Sequence, residues 1–376
     1  MEGLVEVDGG HGEGGGQVLR LAVALSAATG RPSRVVNVRA NRERPGLAAQ
    51  HVAAVRAVAG LCGARTRGVD VGSREVSFEP TRPPGGDVAV DVGTAGSVTL
   101  VLQAALAALA GPSAGPASVT VTGGTDVSRA PCWDYMVHVL APALARSGML
   151  LELVCERRGF YPVGGGRVVA LVGSRDGPLV ALSPHSPYTP QPAHTPHPAH
   201  TPHPAHSARS AHSLGTPKVR ASIVWSGLPE HVPVRIDHAI RKGLVGAGVG
   251  VGVEGVGRTR VTAASPGVAA VAWADLGGAV IGSSMAGRRG LPSEEIGAAL
   301  ANELRSDLAA GATVDVHLLD QLVPYAALAR GRSVMRVREV SSHARTALDI
   351  SSLFVPLDVA VAVEGGGARA VTVGPR

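Results

Sequence analysis

His343 stands in the run Ser341-Ser342-His343-Ala344-Arg345-Thr346, between a β-type stretch and a helical one. A histidine at such a junction is accessible, and its imidazole is an unprotonated nucleophile near neutral pH. The same place also suits a surface or helix-capping histidine. Glu13 is a carboxylate set among glycines, suited to a hard cation such as Mg2+ or Mn2+, or to pairing an arginine. Arg20, Arg39, Arg42, Arg44 and His51 follow it. Guanidinium groups grip phosphate through paired donors in a way that lysine cannot. Arg39 and Arg42 are the best placed of these for a terminal phosphate, and some of the others are ordinary solvated charge. His317, Leu318, Leu319, Asp320 and Gln321 lie at a further strand-to-helix junction, and Gln103 in a helical stretch. Read alone, Asp320 is an N-cap and Gln103 a hydrogen-bonding residue between helices.

The stretch from Asp8 to Pro32 carries the strongest of these signals. A short β-type run (Leu4–Val7) gives way to six glycines in residues 9–16 and then to a mostly apolar helix. Glycine lets backbone approach a ligand where a Cβ would block it. The helix N-terminus adds unpaired N–H groups and a dipole that favour an anion. A turn that only joins strand to helix has the same composition. The loop closes Gly14-Gly-Gly-Gln17 without Gly-Lys-Ser/Thr, which excludes a Walker A loop. Gly10, Gly12 and Gly15 fit G-x-G-x-x-G, but the next strand runs into Arg39, Asn41 and Arg42, where a dinucleotide site carries an acidic residue. An arginine there tolerates a 2′-phosphate, so this second exclusion is the weaker.

The elements that must position these residues recur with a period of roughly 90 residues. The first unit reads strand Leu4–Val7, helix Gln17–Thr29, strand Arg34–Arg39, helix Leu47–Cys62 and strands Ala64–Arg67 and Glu75–Glu79. The second reads strand Asp87–Val92, helix Ser97–Ala110, strand Ser118–Thr122, helix Trp133–Ser147 and strands Leu150–Arg157 and Arg167–Val172. A third begins near Val268, with helix Ser293–Ala310, strand Thr313–His317, helix Asp320–Ala329, strand Val334–Val340, helix Ala344–Phe354 and strand Asp358–Val363. Strand–helix–strand–helix–strands, three times over, predicts α/β or α+β layering. Residues 182–215 turn to Ser, Pro, Thr and His, and seven of the fourteen histidines lie there. That composition cannot bury a core; it reads as a solvated linker, with a metal-chelating tract as the sharper alternative. Strand Lys218–Leu228, helix His238–Gly246 and strand Arg258–Ala264 follow. The expected division is 1–181 for units one and two, 182–215 for the linker, 216–267 (extending as far as 285) for a small α/β domain, and 268–376 for unit three.

The loop Asp8-Gly-x-x-Gly-Glu-Gly-Gly-Gly-Gln-x-Leu-Arg20 resembles the opening of the RNA 3′-terminal phosphate cyclases. Further blocks similar to that family follow in the same order: Arg44-Pro-Gly-Leu with Gln50-His51, Gly93-Thr-Ala-Gly-Ser with Gln103, Gly123-Gly-Thr-Asp with Ala130-Pro131, Arg158-Gly-Phe-Tyr-Pro with three glycines to Gly166, Asp320-Gln321 and Ser342-His343. They span nearly the whole chain, and six or seven in order are specific. The resemblance implies a large domain of three such units with a smaller α/β domain inserted before the third. It implies that His343 takes AMP from ATP as a phosphoramidate. It places adenine, ribose and the nearby phosphate against His317, Leu318, Leu319, Asp320 and Gln321, joined by Gln103 and Pro131. The family often has tyrosine where His317 stands. RNA 3′-phosphate ends would be the substrate, held by Arg39 and Arg42 with Arg20 and His51, and Glu13 would be the metal ligand.

Composition sets weaker bounds. The chain has 35 basic and 29 acidic residues, a net charge of +6, and a pI near 9.8. That suits a polyanionic partner, although arginine bias also follows from a GC-rich genome. Three cysteines in separate segments predict a reducing, cytoplasmic setting. The acidic, glycine-rich opening is no signal peptide, and the apolar runs make no convincing membrane span. No obligate protein partner is implied. Two rivals to the cyclase reading are a non-catalytic cyclase-like protein of ribosome assembly, which lacks the nucleophilic histidine, and an enolpyruvate-transferase-like enzyme, which needs none.

Overall fold

The computed structural model describes residues 3–183, 218–245, 252–364 and 367–376, so the His/Pro-rich tract 184–213 lies outside the described residues. The chain opens with β1 (Val5–Asp8), α1 (Gly16–Thr29), β2 (Ser33–Val36), α2 (Ala49–Cys62), β3 (Arg65–Arg67) and β4 (Val76–Glu79). Their sheet has the order β1-β2-β4-β3, with β1 and β2 parallel and the other pairs antiparallel. Next come β5 (Gly86–Asp91), α3 (Val98–Ala108), β6 (Ala117–Gly123), a broken helix, β7 (Leu151–Arg157) and β8 (Gly166–Val172). The broken helix is α4 (Trp133–Tyr135), a π-helical turn (Met136–Leu140) and α5 (Ala141–Arg146). The order β5-β6-β8-β7 and its strand directions match those of the first sheet.

A separate group follows: β9 (Lys218–Ser226), α6 (His231–Val245), β10 (Gly252–Arg260), β11 (Gly267–Asp275), β12 (Val280–Ala286) and α7 (Ser293–Ala309). Its sheet runs β10-β9-β11-β12, and it has its own apolar cluster around Ile223, Ile240, Ile281 and Leu300. Two expectations are corrected here. The helix from Ser293 was assigned to the third unit, but Ile296, Leu300 and Leu304 face this second cluster, so α7 packs on α6 and β12. The third unit was expected to begin near Val268, but strand β11, which starts at Gly267, and strand β12 belong to the inserted sheet as well, as the wider bound of 285 allowed.

The remainder is α8 (Val316–Leu328), β13 (Ser333–Val337), α9 (Ser342–Phe354), β14 (Leu357–Val363) and β15 (Arg369–Pro375). Thr313–His317 is not a strand. Asp315 caps α8 by accepting from His317 N and Leu318 N at 3.0 and 2.9 Å, which starts the helix there. The three-stranded sheet β13-β15-β14 is antiparallel throughout and lacks the leading parallel strand of the first two. This third group is therefore not a copy of the others.

Helices α1 and α3 carry apolar residues on nearly every side, which requires burial rather than one solvated face. Accordingly α1 packs on α2, α3 and α9, while α8 packs on α9 and α3. The main core is built of Val, Ala and Leu from these helices and the three sheets outside them. The inserted group is pinned to it by polar contacts: Ser222 Oγ donates to Asp134 Oδ2 at 2.7 Å and Gly282 N to Asp315 Oδ2 at 3.0 Å. His138 also stacks on Trp273, with ring centroids 4.1 Å apart. Among the described residues no helix is long and apolar enough to cross a membrane.

Candidate active site

A cavity of about 1220 Å³ opens where the N-terminal ends of α1 and α9 face α3, α8 and the end of β12. Small-molecule sites commonly run to roughly 300–1,000 Å³, so this one has room for more than a single nucleotide.

Ser341 caps α9, its Oγ accepting from Ala344 N at 3.0 Å, which sets His343 in the first turn of the helix. The ring is 42% exposed, so a ligand in the cavity reaches it. Its Nδ1 lies 2.8 Å from Gln17 Oε1, and its Nε2 lies 3.3 Å from Glu13 Oε2. Glu13 also accepts from the Ser342 hydroxyl and pairs with Arg42 Nη2 at 3.4 Å. The Ser342 hydrogen bond first, then the His343 and Arg42 charges, hold its carboxyl below the usual range. The glycine loop is tied to the same helix by His11 Nε2 and Asp349 Oδ2, 2.9 Å apart. Gly12, at φ 60°, packs so closely on Thr346 that any Cβ would collide with it.

The wall from the first sheet carries the cations. Arg20 is half-buried beside the loop and lines the cavity. Burial pushes its guanidinium down to about 10 and Asp320 holds it up, so it stays charged at neutral pH. Arg39 donates to Gly46 O at 2.7 Å and sits at φ 56°, a left-handed backbone that a bulky residue rarely keeps away from functional sites. His51 stands beside these arginines in the cavity wall. Ala48 N, which can only donate, is 3.0 Å from His51 Nδ1, so the ring proton sits on Nε2. Burial, then Arg20 and Arg39, push this imidazole down to about 3. His51 is thus a neutral donor facing the head of α1. A side chain at Gly16 would strike it, which is why that position is glycine.

The opposite wall comes from α3 and α8. Gln103 Nε2 donates to Gln321 Oε1 at 2.7 Å, joining the two helices inside the cavity. His317, Asp320, Gln321 and Pro324 line it at helical spacing, and Pro131 reaches it from the loop after β6. Asp320 is inside α8 and is not the N-cap; Asp315 is. Burial pushes the Asp320 carboxyl up to about 7, with Asp315 adding to the shift and His317 and Arg20 opposing it. Leu318 and Leu319 do not line the cavity. Both are fully buried, because a helix that turns 317, 320 and 321 outward turns 318 and 319 into the core.

Sequence reasoning missed several residues at the cavity. Gln17 was inside the quoted loop motif without a role, and Gln50, which accepts from Ser97 N at 3.1 Å, lay beside His51 in another block. Arg129 and Arg288 line the mouth, and only the first stood near a motif. Among the described residues no group of three or more His, Cys, Asp or Glu side chains is placed to hold a metal ion.

Fold and site together describe a mixed α/β protein whose helix N-termini and arginines surround an accessible histidine. The chain belongs to the RNA 3′-terminal phosphate cyclase family, whose family model matches residues 11–361. It is 39% identical to the RNA 3′-terminal phosphate cyclase of Methanopyrus kandleri over 99% of both chains. It is 41% identical to that of Methanosarcina acetivorans over 96% of this chain and 97% of that one. Against that of Nitrosospira multiformis it is 39% identical over 96% and 94%. These relatives are named as enzymes, and the family is an enzyme family.

Proposed function

We propose that this enzyme converts an RNA 3′-terminal phosphate to a 2′,3′-cyclic phosphate at the expense of ATP. His343 attacks the α-phosphorus, pyrophosphate leaves, and AMP remains on the ring. AMP then passes to the RNA 3′-phosphate, and the vicinal 2′-hydroxyl attacks that phosphorus and expels AMP. Covalent transfer divides one difficult activation into easier displacements, and the last step is intramolecular, so positioning does most of it. The observation that carries this reading is the accessible His343 ring, set in the same cavity as the half-buried charge of Arg20.

In this reading Gln103, Pro131, His317, Asp320 and Gln321 hold the nucleotide, while Arg20, Arg39, Arg42 and His51 hold phosphate. A divalent ion fits Glu13 only as one carboxylate ligand, the rest coming from phosphate and water, and Arg42 already shares that carboxylate. Such an ion would neutralise the triphosphate. The three free thiols support a reducing, cytoplasmic setting.

The test is incubation with α-labelled ATP and Mg2+. Label that survives denaturation and is lost in acid, with 3′-phosphorylated RNA becoming cyclic, is the expected result. A DNA 3′-phosphate should take AMP but not cyclise, since it lacks the 2′-hydroxyl. Absence of label, or label that acid leaves in place, would sink the mechanism.

A further inference from the structure

Two arginines reach the cavity from different parts of the fold. Arg129 comes from the loop after β6, and Arg288 from the turn after β12 in the inserted group. Both are exposed, and among the described contacts neither side chain makes a hydrogen bond or an ion pair. Their backbones, by contrast, are fixed. The loop of Arg129 begins at Asp126, which accepts from Trp133 N and from Arg158 Nη1, each at 3.0 Å. Cys132 N donates to Ser284 Oγ at 3.4 Å, so this loop crosses β12 four residues before Arg288. Gly287 N donates to Val268 O at 2.7 Å and holds the turn that Arg288 opens. Arg129 itself sits at φ 63°, a backbone that long side chains rarely adopt and that gathers at ligand sites.

Two unengaged guanidinium groups on rigid bases at the rim of one cavity suit a strand of phosphates. In the proposed reaction the terminal phosphate lies against Arg39 and Arg42, so the rest of the RNA leaves through the mouth. We infer that Arg129 and Arg288 together hold the phosphodiester next upstream of the 3′-terminal nucleotide. This rests on the cyclase reading. ATP has cations elsewhere: its α-phosphorus has to reach His343, and Arg42 is already there through Glu13. Glu303 also lines the cavity from the inserted group, but its carboxylate accepts from the Ser283 hydroxyl. A contact to the sugar–phosphate chain carries no base information, so the clamp accepts any sequence at that step. It also fixes the strand at a second point, which limits how the last ribose can turn while its 2′-hydroxyl attacks.

The experiment measures binding of a 3′-phosphorylated tetrauridylate to the full chain without ATP, at several salt concentrations. Exposed ion pairs are weak, so Arg129→Ala and Arg288→Ala should each raise Kd roughly 2- to 5-fold. Each should also flatten the dependence of log affinity on log salt by about 0.7, the share of one phosphate on a single strand. Lysine at either position keeps the charge and should keep the slope. A second oligonucleotide carries an uncharged methylphosphonate at its last internal linkage. The wild type should bind it more weakly than the first, whereas the double alanine variant should bind the two alike. Self-adenylylation and its KM for ATP should be unchanged in every variant, as should the melting temperature. A double variant that still loses affinity with the methylphosphonate as the wild type does would overturn the inference. So would a raised KM for ATP with RNA affinity intact, which would give these arginines to the triphosphate. If the wild type binds the RNA through both arginines yet forms no cyclic end, the cyclase reading falls and the clamp stands.

Discussion

Two histidines share the cavity in opposite senses. His343 presents Nε2 beside Glu13 at an exposed helix head, whereas His51 is buried, neutral and donates from Nε2. His343→Asn should therefore abolish acid-labile AMP while melting with the wild type, because the side chain is 42% exposed. Normal labelling in that variant would move the nucleophile elsewhere. Asp320 gives a second residue-scale prediction. Its folded pKa, about 7, lies above the ordinary value of 3.8, so the unfolded chain releases this proton first. The stability it contributes is complete below about pH 4, is lost as pH rises to about 7, and changes no further above that. Asp320→Asn should lack this fall when urea midpoints are followed against pH, and parallel curves for the two proteins would refute the assignment. The residue types at His343, Glu13 and the arginines were legible because loop motifs are local in sequence. The neutrality of His51 was not, since it depends on Ala48 N and on neighbours brought in by folding. Leu318 and Leu319 were legible in principle: a period of 3.6 from His317 through Pro324 already turns them inward.

At the scale of elements, the first two sheets were readable because strand, glycine turn and apolar helix alternate cleanly. The third was misjudged for a physical reason. An amphipathic helix states that one face is buried but not against which sheet, so α7 could be assigned to either core until its partner α6 was in place. Asp315 similarly turns an apparent strand into the capped start of α8. The polar network near the inserted group was also invisible, its members being far apart in sequence. Arg158, with a side chain 12% exposed, donates to Asp126 at 3.0 Å and to Asp134, and Asp134 accepts from Ser222 of β9. Arg158→Met keeps the aliphatic stem but leaves two carboxylates without their cation. Breaking a buried pair in this way costs about 3–5 kcal/mol, and much of the loss should appear as a lower denaturation midpoint. A loss below about 1 kcal/mol would mean that the apolar contacts, not this network, hold the inserted group.

Over the whole molecule, the cavity is shared by parts that the sequence suggested were separable. Arg39 and Arg42 were expected together to hold the RNA 3′-phosphate. The geometry divides them. Arg42 pairs with Glu13, and Glu13 faces His343 Nε2, so Arg42 touches the place where the N–P bond would form. Arg39 is held back by Gly46 O and, among the described contacts, makes no hydrogen bond to that trio. Charge-assisted hydrogen bonds are worth about 1.5–3 kcal/mol each, so each alanine variant should lose roughly 10- to 150-fold in the step its arginine serves. Arg39→Ala should lose that factor in cyclisation of a 3′-phosphorylated oligonucleotide and keep its AMP label. Arg42→Ala should lose it in both. Comparing label formation and cyclisation for the two variants under one set of conditions decides the matter. If Arg39→Ala lost label as heavily as Arg42→Ala, both arginines would bind the triphosphate, and the RNA end would have to be held by the remaining cations of the cavity.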